Sequence, residues 1–229
     1  MREHYGDVVF KGGKESGIYV VIAFFVILLL ILTVLFSGSQ LRRARVDDVF
    51  LGRVWSEDIN ERRYTVGFLG LEKQASFTYK NNNDSYPAFL SVTTVKMFFM
   101  MNEKEFMEKS VVSVKQQMKD DGIILDEDSR VSGCRVLNNG HKTRYVMFNG
   151  TDTSMDPVEL VRVICETWNC GVSGTSVLCV GVAWVTDNGD GFSDLYFKYW
   201  AKIVRDEEGT FGVGEFQGSD GLIFNVNCH

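Results

Sequence analysis

"VELVRVICETWNCGVSGTSVLCVGVAWVT", Val158–Thr186, carries two runs of β-branched and aromatic residues on either side of a short, polar, glycine-bearing stretch. Such runs, bounded by turn formers, read as the two strands of a hairpin. Upstream, Asn139-Gly140 separates the strand-like "RVSGCRVL" from "HKTRYVMFNG", and an Asn-Gly pair supplies the conformations a tight hairpin turn needs. Earlier still, "RRYTVGFLGL", "QASFTYK" and "AFLSVTTVKMFFM" have strand composition, and the turn formers "NNNDSYP" precede the last of them. The pattern predicts an antiparallel sheet.

Two stretches have helical periodicity instead. Asn102 reads as an N-cap, with Glu105 three residues on in a capping-box position, and Met107, Val111, Val114 and Met118 recur at steps of four, three and four. Lys104, Glu108, Lys115 and Lys119 take the opposite face, and Gly122 is the expected stop. Later, Ser193 is placed to cap a helix whose stripe is Tyr196, Tyr199, Trp200 and Ile203. Strands followed by covering helices point to an α+β domain.

Ahead of these elements lies "IYVVIAFFVILLLILTVLF", Ile18–Phe36, nineteen residues without a charge. As a helix it would be about 28 Å long, the thickness of a bilayer core. The sequence therefore predicts an N-terminal tail over 1–16, a transmembrane signal anchor over 17–37, a charged juxtamembrane stalk over 38–60 and one folded domain over 61–229. Basic residues flank the span on both sides (Arg2, Lys11 and Lys14 before it; Arg42, Arg43 and Arg45 after), so charge does not orient it. Five cysteines and the sequons at Asn83 and Asn149 favour an external domain on a single-pass protein of the cell membrane. The expected partners are membrane lipid, through the N-terminal helix, and another protein. A net charge of −6 and the lack of a basic, aromatic-studded patch exclude nucleic acid.

No motif demands a chemistry. The chain has neither HExxH nor a GxSxG elbow. An EF-hand alignment on Gly191 puts Thr186 and Phe197 where acidic ligands are wanted, and Gly212, Gly214 and Gly218 are misspaced for a dinucleotide loop. Asp126–Arg130 reads as a solvated acidic loop, and His141, beside a turn, as a surface residue. No cofactor and no catalytic residue is expected.

The cysteines remain: Cys134, Cys165, Cys170, Cys179 and Cys228, the last followed by His229. A hairpin turning about Val172 sets Cys165 opposite Cys179, within bridging reach, whereas a turn two or three residues later sets Cys170 opposite Cys179. A third pairing joins Cys170 to Cys228. Structural disulfides from Cys170 to Cys179 or Cys228 are expected, with Cys134 as a small buried hydrophobe. The alternative is a metal or thiol redox centre drawn from Cys165, Cys170, Cys179, Cys228 and His229, with Cys165, Cys170, Cys228 and His229 as the metal ligands.

In element order, and in the phrases "NGHKTRYVMFNGT", "WNCGVSGTSVLCVG" and "GLIFNVNCH", residues Tyr64–His229 resemble the PsbP-like α/β/α sandwich and are similar to uncharacterised archaeal membrane-anchored proteins. The resemblance implies an N-terminal transmembrane helix followed by an antiparallel β-sheet with flanking helices. It also implies a binding or assembly module, because that fold serves as a binding platform in photosystem assembly proteins and a partner-binding module in nuclear transport factors. No catalytic set comes with it.

Overall fold

The computed structural model describes residues 22, 24–31, 40–67, 71–82, 87–185, 194–213 and 220–229. Its centre is one seven-stranded antiparallel sheet in the order β2-β3-β4-β8-β7-β6-β5. The strands are β2 (Trp55–Gly67), β3 (Glu72–Asn81), β4 (Ala88–Met97), β5 (Ile123–Val136), β6 (Lys142–Asp152), β7 (Glu159–Cys170) and β8 (Thr175–Trp184). β2-β3-β4 is one meander and β5-β6-β7-β8 another, and the chain crosses between them so that β8 returns to pair with β4.

The crossing is made by helix α2 (Glu103–Asp120), which begins where its cap predicts: the Asn102 side chain accepts from the Glu105 N–H at 2.9 Å. Its stripe of Met107, Val111, Val114 and Met118 packs on Val146, Phe148, Val161, Val163 and Cys165. A single helix about 10 Å across cannot cover seven strands spaced about 4.8 Å apart. α2 therefore covers the β5–β8 half of its face, and among the described residues no helix covers the β2-β3-β4 half.

The other face is covered more fully. Helix α3 (Asp194–Val204), the segment from residue 40 to Trp55 and residues 220–229 pack there around Phe77, Leu90, Ile164, Trp168 and Trp200. Gly181 of β8 permits the closest approach, since a Cβ there would lie 2.4 Å from Ile203 Cγ2 of α3. β7 and β8, covered on both faces, are buried along most of their length, and β8 is nearly all apolar. Glu166 of β7 is nonetheless fully buried, held by Arg135 at 2.5 Å and by the Thr143 hydroxyl. The same guanidinium reaches the Arg205 carbonyl at 3.0 Å, which ties the sheet to the end of α3.

Several expectations are corrected. The chain is mainly β, a broad antiparallel sheet with few helices, and not the α+β sandwich with flanking helices that the PsbP-like resemblance implies. Strands take up about half of the described residues, and among these α2 is the one helix on its face of the sheet. No helix among the described residues is long and apolar enough to cross a membrane. Of the expected anchor over 17–37, the described residues 22 and 24–31 are helical and exposed, about 14 Å at 1.5 Å per residue. The rest of that span lies outside the described residues.

Residues 40–60 are part of the domain, not a stalk clear of it. Ala44, Val46, Leu51 and Trp55 are buried in the core. Strand β1 (Arg45–Val46) pairs with β9 (Val226–Asn227), the short helix α1 (Asp48–Leu51) follows, and β2 begins at Trp55. Asp126–Arg130 is not a loop either: it lies within β5, where the register with β6 shifts between Asp126 and Val131. Ser193, Asp187 and Asp190 lie outside the described residues.

Candidate metal centre

The turn between β5 and β6 is built by Asn139-Gly140, and Gly140 takes the positive φ of 81° that the sequence anticipates. The turn also grips a distant segment. Asn138 N–H donates to the Phe224 carbonyl at 3.1 Å, and Asn139 Nδ2 donates to the Val226 carbonyl at 2.8 Å. Asn139 Oδ1 in turn accepts from the His141 N–H at 3.0 Å, which fixes the start of β6. These bonds lay residues 224–229 along the turn and bring Cys228 and His229 beside His141.

Cys170 arrives from another direction, as the last residue of β7. The turn Gly171–Gly174 closes on it, with Gly174 N–H donating to the Cys170 carbonyl at 2.9 Å. Two buried thiols, the partly exposed His141 and the exposed His229 thus meet, with one ligand atom from each within 4.8 Å of the others. Cys228 Sγ is 3.2 Å from His141 Nε2 and 3.7 Å from His229 Nδ1, and Cys170 Sγ is 3.8 Å from His229 Nδ1. A tetrahedral zinc with ordinary Zn–S and Zn–N bonds would set such donors about 3.3–3.8 Å apart. Those three sulfur–nitrogen separations fall close to that range, and the other donor pairs lie within 4.8 Å.

The protonation states suit a metal. Burial pulls His141 below its usual value, with the charge of His229 adding to the effect, so its imidazole is neutral at pH 7 and able to ligate. The thiols act as a pair. Burial raises Cys170, but the Ser173 hydroxyl and the neighbouring Cys228 and His229 outweigh it and bring the thiol to about 7. Cys228 goes the other way, pushed up to about 12 by burial and by the adjacent Cys170. The pair gives up one proton readily, as two thiols sharing one site must.

A further group points into the cluster. Trp168 Nε1 is fully buried with no hydrogen-bond partner, which normally costs about 1–3 kcal/mol. The indole lies against the site, stacked on His141 at 6.4 Å between centroids, and its N–H acts to lower the Cys228 thiol. An N–H with only a sulfur to face is accounted for if that sulfur is a thiolate.

The expected bridges fare differently. All five cysteines are free. The hairpin turns half a residue later than a turn centred on Val172: Cys170 opposes Thr175, Cys165 opposes Val180, and Cys179 opposes Glu166. Because side chains alternate along a strand, this small slip puts Cys165 and Cys179 on opposite faces of the sheet. Cys170 and Cys179 share a face but sit about 13 Å apart along it. Cys170 and Cys228 are adjacent and unbridged.

Cys165 also drops out of the expected ligand set, and burial drives its thiol up to about 12. Its place is taken by His141, which is not the surface residue it was expected to be. The parity of the spacing was a usable signal, since residues 165 and 170 differ by an odd number and cannot point to the same face. Nothing local marks His141, because its partners Cys170, Cys228 and His229 lie 29, 87 and 88 residues further along the sequence. Cys134 is exposed on the edge strand β5 instead of buried. Asn149 is exposed on β6, while Asn83 lies outside the described residues.

No family model, curated protein or solved structure matches the chain. The site rests on its own geometry.

Proposed function

We propose that this chain is a metal-binding domain in which His141, Cys170, Cys228 and His229 hold one thiophilic divalent cation, zinc in the first instance. The observation that carries the reading is the convergence of four such donors, from three separate stretches of chain, within 4.8 Å. Two thiolates and two imidazoles suit zinc, whereas oxygen-seeking calcium or magnesium would find no carboxylate among the four. Four protein donors close the coordination sphere, so the role is structural: the metal joins the ends of two hairpins to residues 224–229.

The companion reading, a binding module without catalytic activity, is favoured by the cleft over the β2-β3-β4 half of the sheet.

The test is a titration of the reduced full-length chain with Co2+, a spectroscopic substitute for zinc. One equivalent is expected to bring up intense tetrahedral ligand-field bands and a thiolate charge-transfer band, both erased by zinc. Cys170→Ser and Cys228→Ser each remove the charge-transfer intensity in proportion, His141→Ala weakens binding at least about tenfold, and Cys165→Ala leaves the titration unchanged. A pale octahedral spectrum, or a titration indifferent to Cys228→Ser, refutes the assignment.

A further inference from the structure

The face that α2 leaves open is not an ordinary solvated sheet surface. Between α2 and strands β2-β3-β4 runs a cleft of about 710 Å3, within the usual range for small-molecule sites. A sheet face turned to water commonly carries long charged side chains. Here the centre of the floor is short and neutral: the cross-strand pairs are Ser76 with Thr93 and Thr78 with Ser91, with Arg63, Gln74 and Lys80 around them. Thr78 and Thr93 are only 7% and 8% exposed. The charges, Glu61, Arg63, Lys80 and Asp121, are of both signs, and Lys80 is engaged by Asp58 and Glu61 at 3.0 Å each.

The floor hydroxyls have bonding capacity left over. Ser76 Oγ lies 3.2 Å from Ser91 Oγ and 2.9 Å from Thr93 Oγ1. Each hydroxyl has one donor and two acceptor sites, so two shared bonds among three hydroxyls leave several directions open into the cleft. The side nearest β8 is apolar, with Phe89, Leu178 and Val180 of the sheet opposite Val114 and Met118 of α2. Phe89 is backed by Trp184 at 6.2 Å between centroids.

We infer that this cleft binds a neutral saccharide. A pyranose presents ring hydroxyls on its edge and C–H groups on its faces, and the cleft offers a hydroxyl floor beside an aromatic and aliphatic wall. A phosphorylated or carboxylated ligand would want a net positive lining, and the rim provides none. An apolar ligand would leave the floor hydroxyls desolvated and unpaired. The site is on the opposite face of the sheet from Cys170 and its partners, so it is independent of the metal reading.

The experiment uses the 15N-labelled full-length chain and four neutral trisaccharides: cellotriose, maltotriose, mannotriose and chitotriose. Saturable shifts are expected with at least one of them, confined to amides of β3, β4 and the end of α2 from Val114 through its cap Asp121, and the same with and without chelator. Thr93→Val keeps the shape and removes one hydroxyl, and is expected to weaken binding about tenfold. Ser91→Leu fills the floor and is expected to abolish it. The inference fails if no trisaccharide shifts these amides at 10-millimolar order, if the shifts fall elsewhere, or if both variants bind normally. It also fails if the same amides shift with protein concentration alone, which would make a second copy of the chain the occupant.

Discussion

At the residue scale, the decisive pair is Cys170 and Cys228, two thiols in contact with very different acidities. Against burial, hydrogen bonds from Ser173 and the neighbouring donors bring Cys170 down to about 7, while burial and Cys170 itself push Cys228 up to about 12. A bound divalent metal needs both as thiolates, so binding must displace whatever protons the free pair holds. Above pH 7 the pair holds one proton, and below it two. As the solution is acidified, apparent affinity should therefore fall about tenfold per pH unit down to neutrality and about a hundredfold per unit below it. His141, held below its usual value, adds nothing until the solution is more acidic still. Competition with a chromophoric chelator between pH 6 and 9 measures the slope; a single slope throughout would mean that the two thiols do not share protons as described.

Among elements, β8 and α3 depend on each other at one atom. Gly181 has no side chain because Ile203 occupies the space, and a methyl group there would meet Ile203 Cγ2 at 2.4 Å. Gly181→Ala should force α3 off the sheet and destabilise the domain by about 1–3 kcal/mol, read from the midpoint of urea unfolding. An unchanged midpoint would mean that α3 is not firmly seated. This contact was invisible in the sequence, where Gly181 is one more small residue in an apolar run. The elements themselves were far more legible. α2 was marked at both ends, by Asn102 with Glu105 and by Gly122, and by a stripe that sits on the core as its spacing requires. The hairpins at Asn139-Gly140 and at Gly171–Gly174 were equally plain, because turn chemistry is local. Register was not. Whether the second hairpin turns on Val172 or half a residue later is decided by packing on both faces, and that half residue separates a Cys165–Cys179 bridge from none. Residues 40–60 misled for a related reason: charged residues mask Ala44, Val46, Leu51 and Trp55, whose burial depends on partners far along the chain.

For the whole molecule, the consequence of the metal centre is where it falls in the topology. Among the described residues β1 pairs with β9, and β9 is gripped by the β5–β6 turn, so residues 224–229 bridge the beginning of the domain and the β5–β6 edge of the sheet. Cys228 and His229 lie on that bridge, and His141 and Cys170 meet it from the β5–β6 turn and the end of β7. A cation that binds the folded form and not the unfolded stabilises it by about 2.7 kcal/mol at a concentration a hundredfold above its dissociation constant. Its removal should act first on the bridge, because the α2 face has its own apolar core of Val146, Phe148, Val161 and Val163 and makes no use of the four ligands. Hydrogen exchange on the zinc-loaded and chelated chain is expected to differ most at Val46, Asn138 and His141, whose amides donate within or beside the bridge. Amides of β7 and α2 should keep their protection. Exchange that rises equally everywhere would show the metal holding up the entire fold; exchange that rises nowhere would show that residues 224–229 stay docked without it.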